Sequence, residues 1–366
     1  MKGVDRVLFW TVVSLVALGL LILASASIGY SIKRFGHPYY YLLRQIILGV
    51  GGGTILFWVG LRMPVSVYRR FAPQILIAGI ILIGVALVQN ATPHLDARRW
   101  IFVGQPPFQL SFQPSEILKF GLVVYIAAWI CAKRKELSTF TLGFLPFLLI
   151  TGFAGIFLYA EPDIGTLGVV TMTALGIFLL GGGRTSQVAL AVLLGVVVLG
   201  VIIYAEPYRR DRLFIFLNPD SDTQGAGYQI NQARIAIGSG GLFGKGLGLS
   251  RQKYSYLPEP MGDSIFAVFA EEFGFLGVAV LIFGFLFFFF RGMLTAARAY
   301  DSFAQLLASG LTLLIITQVA INIGSLSGLL PLTGIPLPFI SYGGTALAST
   351  LFEMGILLNI SKRKTL

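Results

Sequence analysis

From Ser302 to Phe352 the chain runs 51 residues without a charged side chain. A membrane-spanning helix needs only about 20 mainly apolar residues, so this stretch is too long for one crossing. Pro331, Pro336 and Pro338, with several glycines, interrupt it. It therefore reads as two helices around a buried or re-entrant loop, because irregular backbone at membrane depth is tolerated only where protein covers it. Uncharged runs recur along the chain. Residues 7–32 hold none for 26 positions, far longer than a signal-peptide core, so Ala24-Ser25-Ala26 is not expected to be cleaved. Only 12% of the 366 residues are charged and 56% are hydrophobic. A soluble domain has about 25% charged residues, which excludes both a soluble globular protein and a disordered one.

Gaps between charges give ten candidate spans, at 7–29, 45–61, 72–90, 115–132, 141–160, 164–183, 187–205, 264–290, 303–324 and 341–360. The expected fold is all-α, a polytopic membrane protein of ten transmembrane helices. Residues 206–262 form a long outer loop between helices 7 and 8, and residues 1–366 make one transmembrane domain. With the N-terminus inside, 14 Lys and Arg fall on inner segments, six on short outer ones and seven in the long outer loop. Long loops count weakly in the positive-inside rule, so both termini are expected in the cytoplasm. The same sorting explains most of the formal charge of +11 as topology rather than nucleic-acid binding.

Cys131 is the only cysteine and His37 and His94 are the only histidines. That excludes an intrachain disulfide and His-rich zinc chemistry, and no cofactor is identified. A carboxylate-held Mg²⁺ or Mn²⁺ is left open.

Ionisable groups at membrane depth cost roughly 2.5–3.5 kcal/mol each and tend to line cavities. The fourth span must include Glu116 and Lys119, three residues apart on one helix face. The bland alternative is a snorkelling helix start behind Pro114. Asp263, just before an apolar run, fits either an N-cap or a functional carboxylate, with Glu271 and Glu272 about two turns deeper. Glu353 lies inside the last span. The outer segments collect the polar motifs Ala97-Arg98-Arg99-Trp100, Phe112-Gln113-Pro114-Ser115-Glu116 and Glu161-Pro162-Asp163-Ile164-Gly165-Thr166. The run from Gly238 to Gly248 fails as a Walker A motif, since Ser239 and Gly246 stand where Gly and Ser or Thr are needed. It is either an anion-approaching loop with Lys245, Arg251 and Lys253 nearby or a flexible turn.

Together these motifs, with Leu257-Pro258-Glu259 and Gly334-Ile335-Pro336-Leu337-Pro338-Phe339, resemble the SEDS family (shape, elongation, division and sporulation) over almost the whole chain. Ser25-Ala26-Ser27, and Gln252-Lys253 before Leu257-Pro258-Glu259, favour the division branch (FtsW-like) over the elongation branch (RodA-like). The resemblance implies a lipid II-dependent peptidoglycan glycosyltransferase of the bacterial plasma membrane, paired with a class B penicillin-binding protein and with other division or elongation proteins. It places the catalytic aspartate at Asp263. Met261-Gly262 here replaces the family's usual His-Thr, Ser264 its Phe, and Thr345 its Ser.

On this reading Asp263 takes the proton from the acceptor sugar hydroxyl. Arg98, Arg99, Lys119, Lys245 and Lys253 are candidates to hold the diphosphate, Glu116 orients Lys119, and Glu259 joins the substrate site. The rivals are a lipid II transporter, which the intramembrane charges would suit, and a non-catalytic scaffold. The outer concentration of polar motifs favours the polymerase.

Overall fold

A computed structural model describes residues 3–89, 99–104, 110–218, 225–254 and 256–362. Among them, nine helices are long and apolar enough to cross a membrane. These are α1 (Arg6–Phe35), α2 (Tyr40–Arg62), α3 (Ala72–Gln89), α4 (Pro114–Lys133), α5 (Phe140–Ala160), α7 (Thr185–Ala205), α8 (Ile265–Ala297), α9 (Ser302–Leu326) and α10 (Gly344–Ser361). The sixth expected span is the shorter apolar helix α6, Ile164–Leu180. Every expected span therefore falls on a helix. Among the described residues, the departure from an all-α chain is a small antiparallel hairpin, Ile101–Val103 with Leu110–Phe112, just before α4.

Helix ends follow local chemistry. Asp5 and Asp301 cap α1 and α9 by accepting the amides of Leu8 and Ala304, and Pro114 opens α4 where its missing N–H is harmless. Asp5 also pairs with Arg291 at the far end of α8, and its amide donates to the Ser361 hydroxyl, joining three helix ends on one side of the bundle.

The interior is built on α9, which packs against α4, α6 and α8. α2 packs along α10, and α3 along α4. α7 is different, with only Gln187 and Ala191 buried and its neighbours confined to α6 and the short helix Pro207–Leu217 that follows it.

The 51-residue uncharged stretch resolves as expected into α9, α10 and an irregular passage between them. Ile335, Leu337, Phe339 and Ile340 of that passage are buried. It reaches the middle of α1, where a Cβ at Gly19 would lie 2.3 Å from the Phe339 carbonyl oxygen. Glycine at that position lets the loop enter the bundle. α2 contains a π-helical turn, Gln45–Gly51, a distortion that tends to mark functional sites. Its first residue, buried Gln45, accepts the Gly343 amide at the start of α10.

α8 is the most irregular long helix. Its 33 residues span about 50 Å at 1.5 Å per residue, well beyond the bilayer's hydrocarbon core of about 30 Å. It breaks at Gly274, which has φ 64° and ψ −167°. The glycine-rich run fills that break. Lys245 and Gly246 amides donate to the carbonyls of Glu271 and Glu272, and Phe275 and Leu276 amides donate to those of Gly241 and Leu242. A Cβ on Gly274 would sit 2.3 Å from the Gly244 nitrogen.

The rest of the 206–262 segment contributes two short helices, Pro207–Leu217 and Ala226–Ser239. The second lies against α8 and α9, covering the outer end of the bundle.

Candidate active site

Asp263 stands just before α8, where the covering helix, the irregular passage and the end of α9 meet. Its backbone is held with unusual completeness. Three successive carbonyls, those of Met261, Gly262 and Asp263, accept from the Tyr342 amide (2.8 Å), the Ser341 hydroxyl (2.7 Å) and the Asn322 side-chain amide (2.9 Å). Ser341 in turn accepts the Leu337 amide at 2.8 Å, and Asn322 also donates to the Ile335 carbonyl at 2.7 Å. The donors come from α9 and from the irregular passage, so the segment preceding α8 is fixed by residues nearly 60 to 80 positions away in sequence.

The carboxyl group itself is half-buried and its immediate contacts are polar but uncharged. Gln229 of the covering helix approaches both oxygens at 3.4–3.5 Å and bonds more closely to Ser264 at 3.1 Å, while the Ser264 hydroxyl donates to Asp263 Oδ1 at 3.3 Å. Burial, and after it the negative charge of Glu259, raise the Asp263 pKa to about 6 against the lowering effect of the Ser264 and Gln229 hydrogen bonds. Asp263 does not act as a helix N-cap: Ser264 occupies the cap position, and neither side chain caps the helix amides.

Glu259 is exposed and sits in the left-handed region at φ 46°. Its carbonyl accepts the Gly262 and Ser264 amides, closing the turn that presents Asp263. Among the described residues, no group of three or more His, Cys, Asp or Glu side chains could hold a metal ion.

The basic residues separate into two kinds. Lys245 is about one-third exposed and bonds to Glu271 at 2.7 Å and Ser239 at 2.9 Å. Arg99 donates to the carbonyls of Glu161 and Pro162, bracing the turn that leads into α6. Arg98 lies outside the described residues. Lys119 and Lys253, expected as diphosphate ligands, are instead buried, 4% and 1% exposed. Lys253 contacts Glu272 at 2.8 Å, the Ser25 hydroxyl at 2.7 Å and the Gly248 carbonyl at 2.8 Å. Lys119 contacts Glu116 at 2.8 Å and Gln318 at 3.1 Å. Both ammonium groups are satisfied from within, because an uncompensated charge at that depth would be too costly. Both side chains are almost wholly enclosed by protein in this structure.

The glycine-rich run is corrected likewise. Its Lys245 and Gly246 amides are taken by α8 carbonyls, so it is a backbone graft onto the helix break rather than an anion cradle. Glu271, below it, receives Lys245, the Ser250 hydroxyl and the amides of Arg251 and Gln252. The pair Glu271 and Glu272 therefore pins the outer loop to α8 and α1.

The remaining acidic motif, at Glu161, is fully buried with both carboxylate oxygens unpartnered among the described residues. Burial first, then the adjacent Asp163 charge, raise its pKa to about 8, with Arg99 opposing. Asp163 itself caps α6 through Thr166.

Sequence reasoning missed Gln229, Gln318, Asn322 and Ser341. Gln318 and Asn322 were findable, being polar residues four apart on an otherwise apolar span, hence on one face. Gln229 carries no such signal, since its segment, Ala226–Ser239, mixes polar and apolar residues.

Against known proteins, the FTSW_RODA_SPOVE family, described as cell cycle proteins, matches residues 6–366. A Coxiella burnetii protein named probable peptidoglycan glycosyltransferase FtsW is 38% identical, over 96% of this chain and 95% of its own. Stage V sporulation protein E of Bacillus subtilis is 35% identical, over 98% and 97%. The crystal structure of the Thermus thermophilus rod shape determining protein RodA shares the fold with a TM-score of 0.72 at 25% identity, covering 99% of this chain and 97% of that one. A chain from a structure described as "Structural coordination of polymerization and crosslinking by a peptidoglycan synthase complex" aligns with a TM-score of 0.81 at 24% identity, covering 99% and 98%.

Proposed function

The chain belongs to the SEDS family of FtsW, RodA and SpoVE, and on that premise we propose that it polymerises lipid II with Asp263 as the general base. It is a peptidoglycan glycosyltransferase, FtsW-like rather than RodA-like, with several FtsW relatives at 34–38% identity. The observation that carries the base assignment is a half-buried carboxylate, raised in pKa and backbone-clamped at the outer mouth of the bundle.

The chemistry needs one base. As the acceptor sugar hydroxyl attacks the anomeric carbon of the donor, its proton passes to Asp263 and the bond to the lipid diphosphate breaks. The diphosphate leaves already ionised and requires no acid, unlike the leaving group of most glycoside hydrolases. Attack opposite the leaving group inverts the anomeric centre. A pKa near 6 leaves Asp263 ionised at neutral pH yet more basic than a free aspartate. Cationic contact with the diphosphate then falls to Arg98, Arg99 and Lys245, with Glu259 shaping the turn beside the acceptor. With ten spans both termini would lie in the cytoplasm and the site on the outer face of the plasma membrane, a topology that the uneven distribution of Lys and Arg supports. A class B penicillin-binding protein is the partner proposed to receive the nascent strand.

The test is lipid II polymerisation by the purified protein with its transpeptidase partner. Asp263→Asn is expected to make no glycan strand while folding and pairing normally. Undiminished polymer from that variant overturns the assignment. If wild type makes no polymer with its partner yet moves lipid II across vesicles, the transporter reading replaces it.

A further inference from the structure

The buried pair Glu116–Lys119 lies within the membrane-spanning part of α4, and it is connected to Asp263 through α9. Lys119 Nζ donates to Gln318 Oε1 at 3.1 Å, and Gln318 Nε2 donates to the Pro336 carbonyl at 2.9 Å. One turn further along α9, Asn322 Nδ2 bridges the Ile335 carbonyl at 2.7 Å and the Asp263 carbonyl at 2.9 Å. Consecutive carbonyls of the irregular passage, 335 and 336, are thus taken by two side chains on one face of α9. The same face holds the backbone of Asp263.

We propose that Glu116, Lys119, Gln318 and Asn322 form a positioning relay that fixes the irregular passage and, through it, the Asp263 carboxylate. This rests on the reading of Asp263 as the base.

The direction of each hydrogen bond makes the relay specific. A side-chain amide can present its oxygen or its nitrogen to either neighbour. The Lys119 ammonium only donates, so it demands the oxygen of Gln318 and thereby turns the nitrogen towards Pro336. Glu116 holds Lys119 in place by its 2.8 Å contact. Proline has no amide to offer a neighbour, so the 335–336 carbonyls are the natural handles on this passage. At its other end the passage supplies Ser341 and Tyr342 to the carbonyls of Gly262 and Met261. A shift at Pro336 is consequently carried to both sides of Asp263. The arrangement also explains why a charged pair is kept where it is expensive, 4–5% exposed.

A relay predicts a kinetic signature different from that of a diphosphate ligand. Misplacing a base by about 1 Å can lower the rate by about 100-fold, whereas loss of a ground-state ligand raises KM. The experiment measures kcat, KM for lipid II and the pH–rate profile of the protein with its transpeptidase partner. It compares Gln318→Glu, Asn322→Leu and the double variant Glu116→Gln/Lys119→Met. Gln318→Glu retains the acceptor for Lys119 and loses the donor to Pro336, so it separates the two halves of the relay. The double variant removes both charges at once, so neither partner is stranded, and leaves the buried Glu353, which interacts with both, as the remaining ionisable group there.

The expected result is a fall in kcat of about 10- to 100-fold in all three, with KM within twofold of wild type and a displaced rising limb of the pH profile. A raised KM at unchanged kcat in the double variant makes Lys119 a substrate ligand and overturns the relay. Wild-type kcat and an unmoved pH limb in Gln318→Glu and Asn322→Leu overturn it too. Asp263→Asn, run alongside, separates the two ideas. If Asp263→Asn is inactive but the relay variants are normal, the relay alone fails. If Asp263→Asn polymerises normally, the base assignment itself fails.

Discussion

A carboxylate that takes a proton from a sugar hydroxyl must be ionised at working pH and more basic than a free aspartate. Asp263 meets both demands because burial, and then Glu259, push its pKa up to about 6. Catalysis requires the deprotonated form, so polymerisation should rise with pH, tenfold per unit well below 6 and level above it. A pH–rate profile of kcat checks this, and a midpoint near 4 would mean that the environment does not tune the base. At Lys253, the buried pair with Glu272 gives a second expectation. Removing one partner strands a buried charge, so Lys253→Met should destabilise the protein by about 3–5 kcal/mol, while adding Glu272→Leu should restore most of it. Thermal unfolding of the two variants in one detergent checks the pattern. Position alone, at the edge of an apolar run, fits Asp263 better as a helix cap; the family motif is what singled it out for the proposed role. The sequence did not reveal that Lys119 and Lys253 face inward, because a lysine reads the same whether it meets a ligand or an internal glutamate.

At the scale of elements, the segmentation was readable because apolar run length and proline position report directly on membrane crossing. All ten expected spans coincide with helices, and the irregular passage lies where three prolines interrupt the uncharged stretch. What escaped the sequence was the break in α8. Gly274 sits in an unbroken apolar helical pattern, and its φ of 64° becomes intelligible only beside the run 240–246, whose amides and carbonyls complete the ladder. The same pairing explains why so many glycines occur in that run, a composition that alone suggested an anion site. Gly274→Ala should destabilise the protein by at least about 1–3 kcal/mol, from backbone strain alone, and the clash with the Gly244 nitrogen adds to this. Polymerisation should fall with stability, because residues 265–273, next to Asp263, would lose their register with the outer loop. A thermal-shift measurement alongside the polymer assay tests both halves.

Over the whole molecule, the bundle is unevenly supported. α4, α9 and α10 are held by protein on most sides, whereas α7 shows nearly its entire length to the outside. Its 21 residues make a rod of about 31 Å, close to the thickness of an average hydrocarbon core. With few neighbours to fix its tilt, this rod can tilt with the thickness of the lipid around it. At its outer end α7 meets Pro207–Leu217, which touches the helix Ala226–Ser239, and that helix carries Gln229 to Asp263 and Ser264. On the proposed role of Asp263, acyl-chain length is expected to act on the cover of its carboxylate. Polymerisation in vesicles of short-chain and long-chain lipids should differ at equal protein content, and equal rates would show that α7 moves independently of the cover. The membrane is then a working part of the enzyme, and its thickness a variable that a growing cell could adjust.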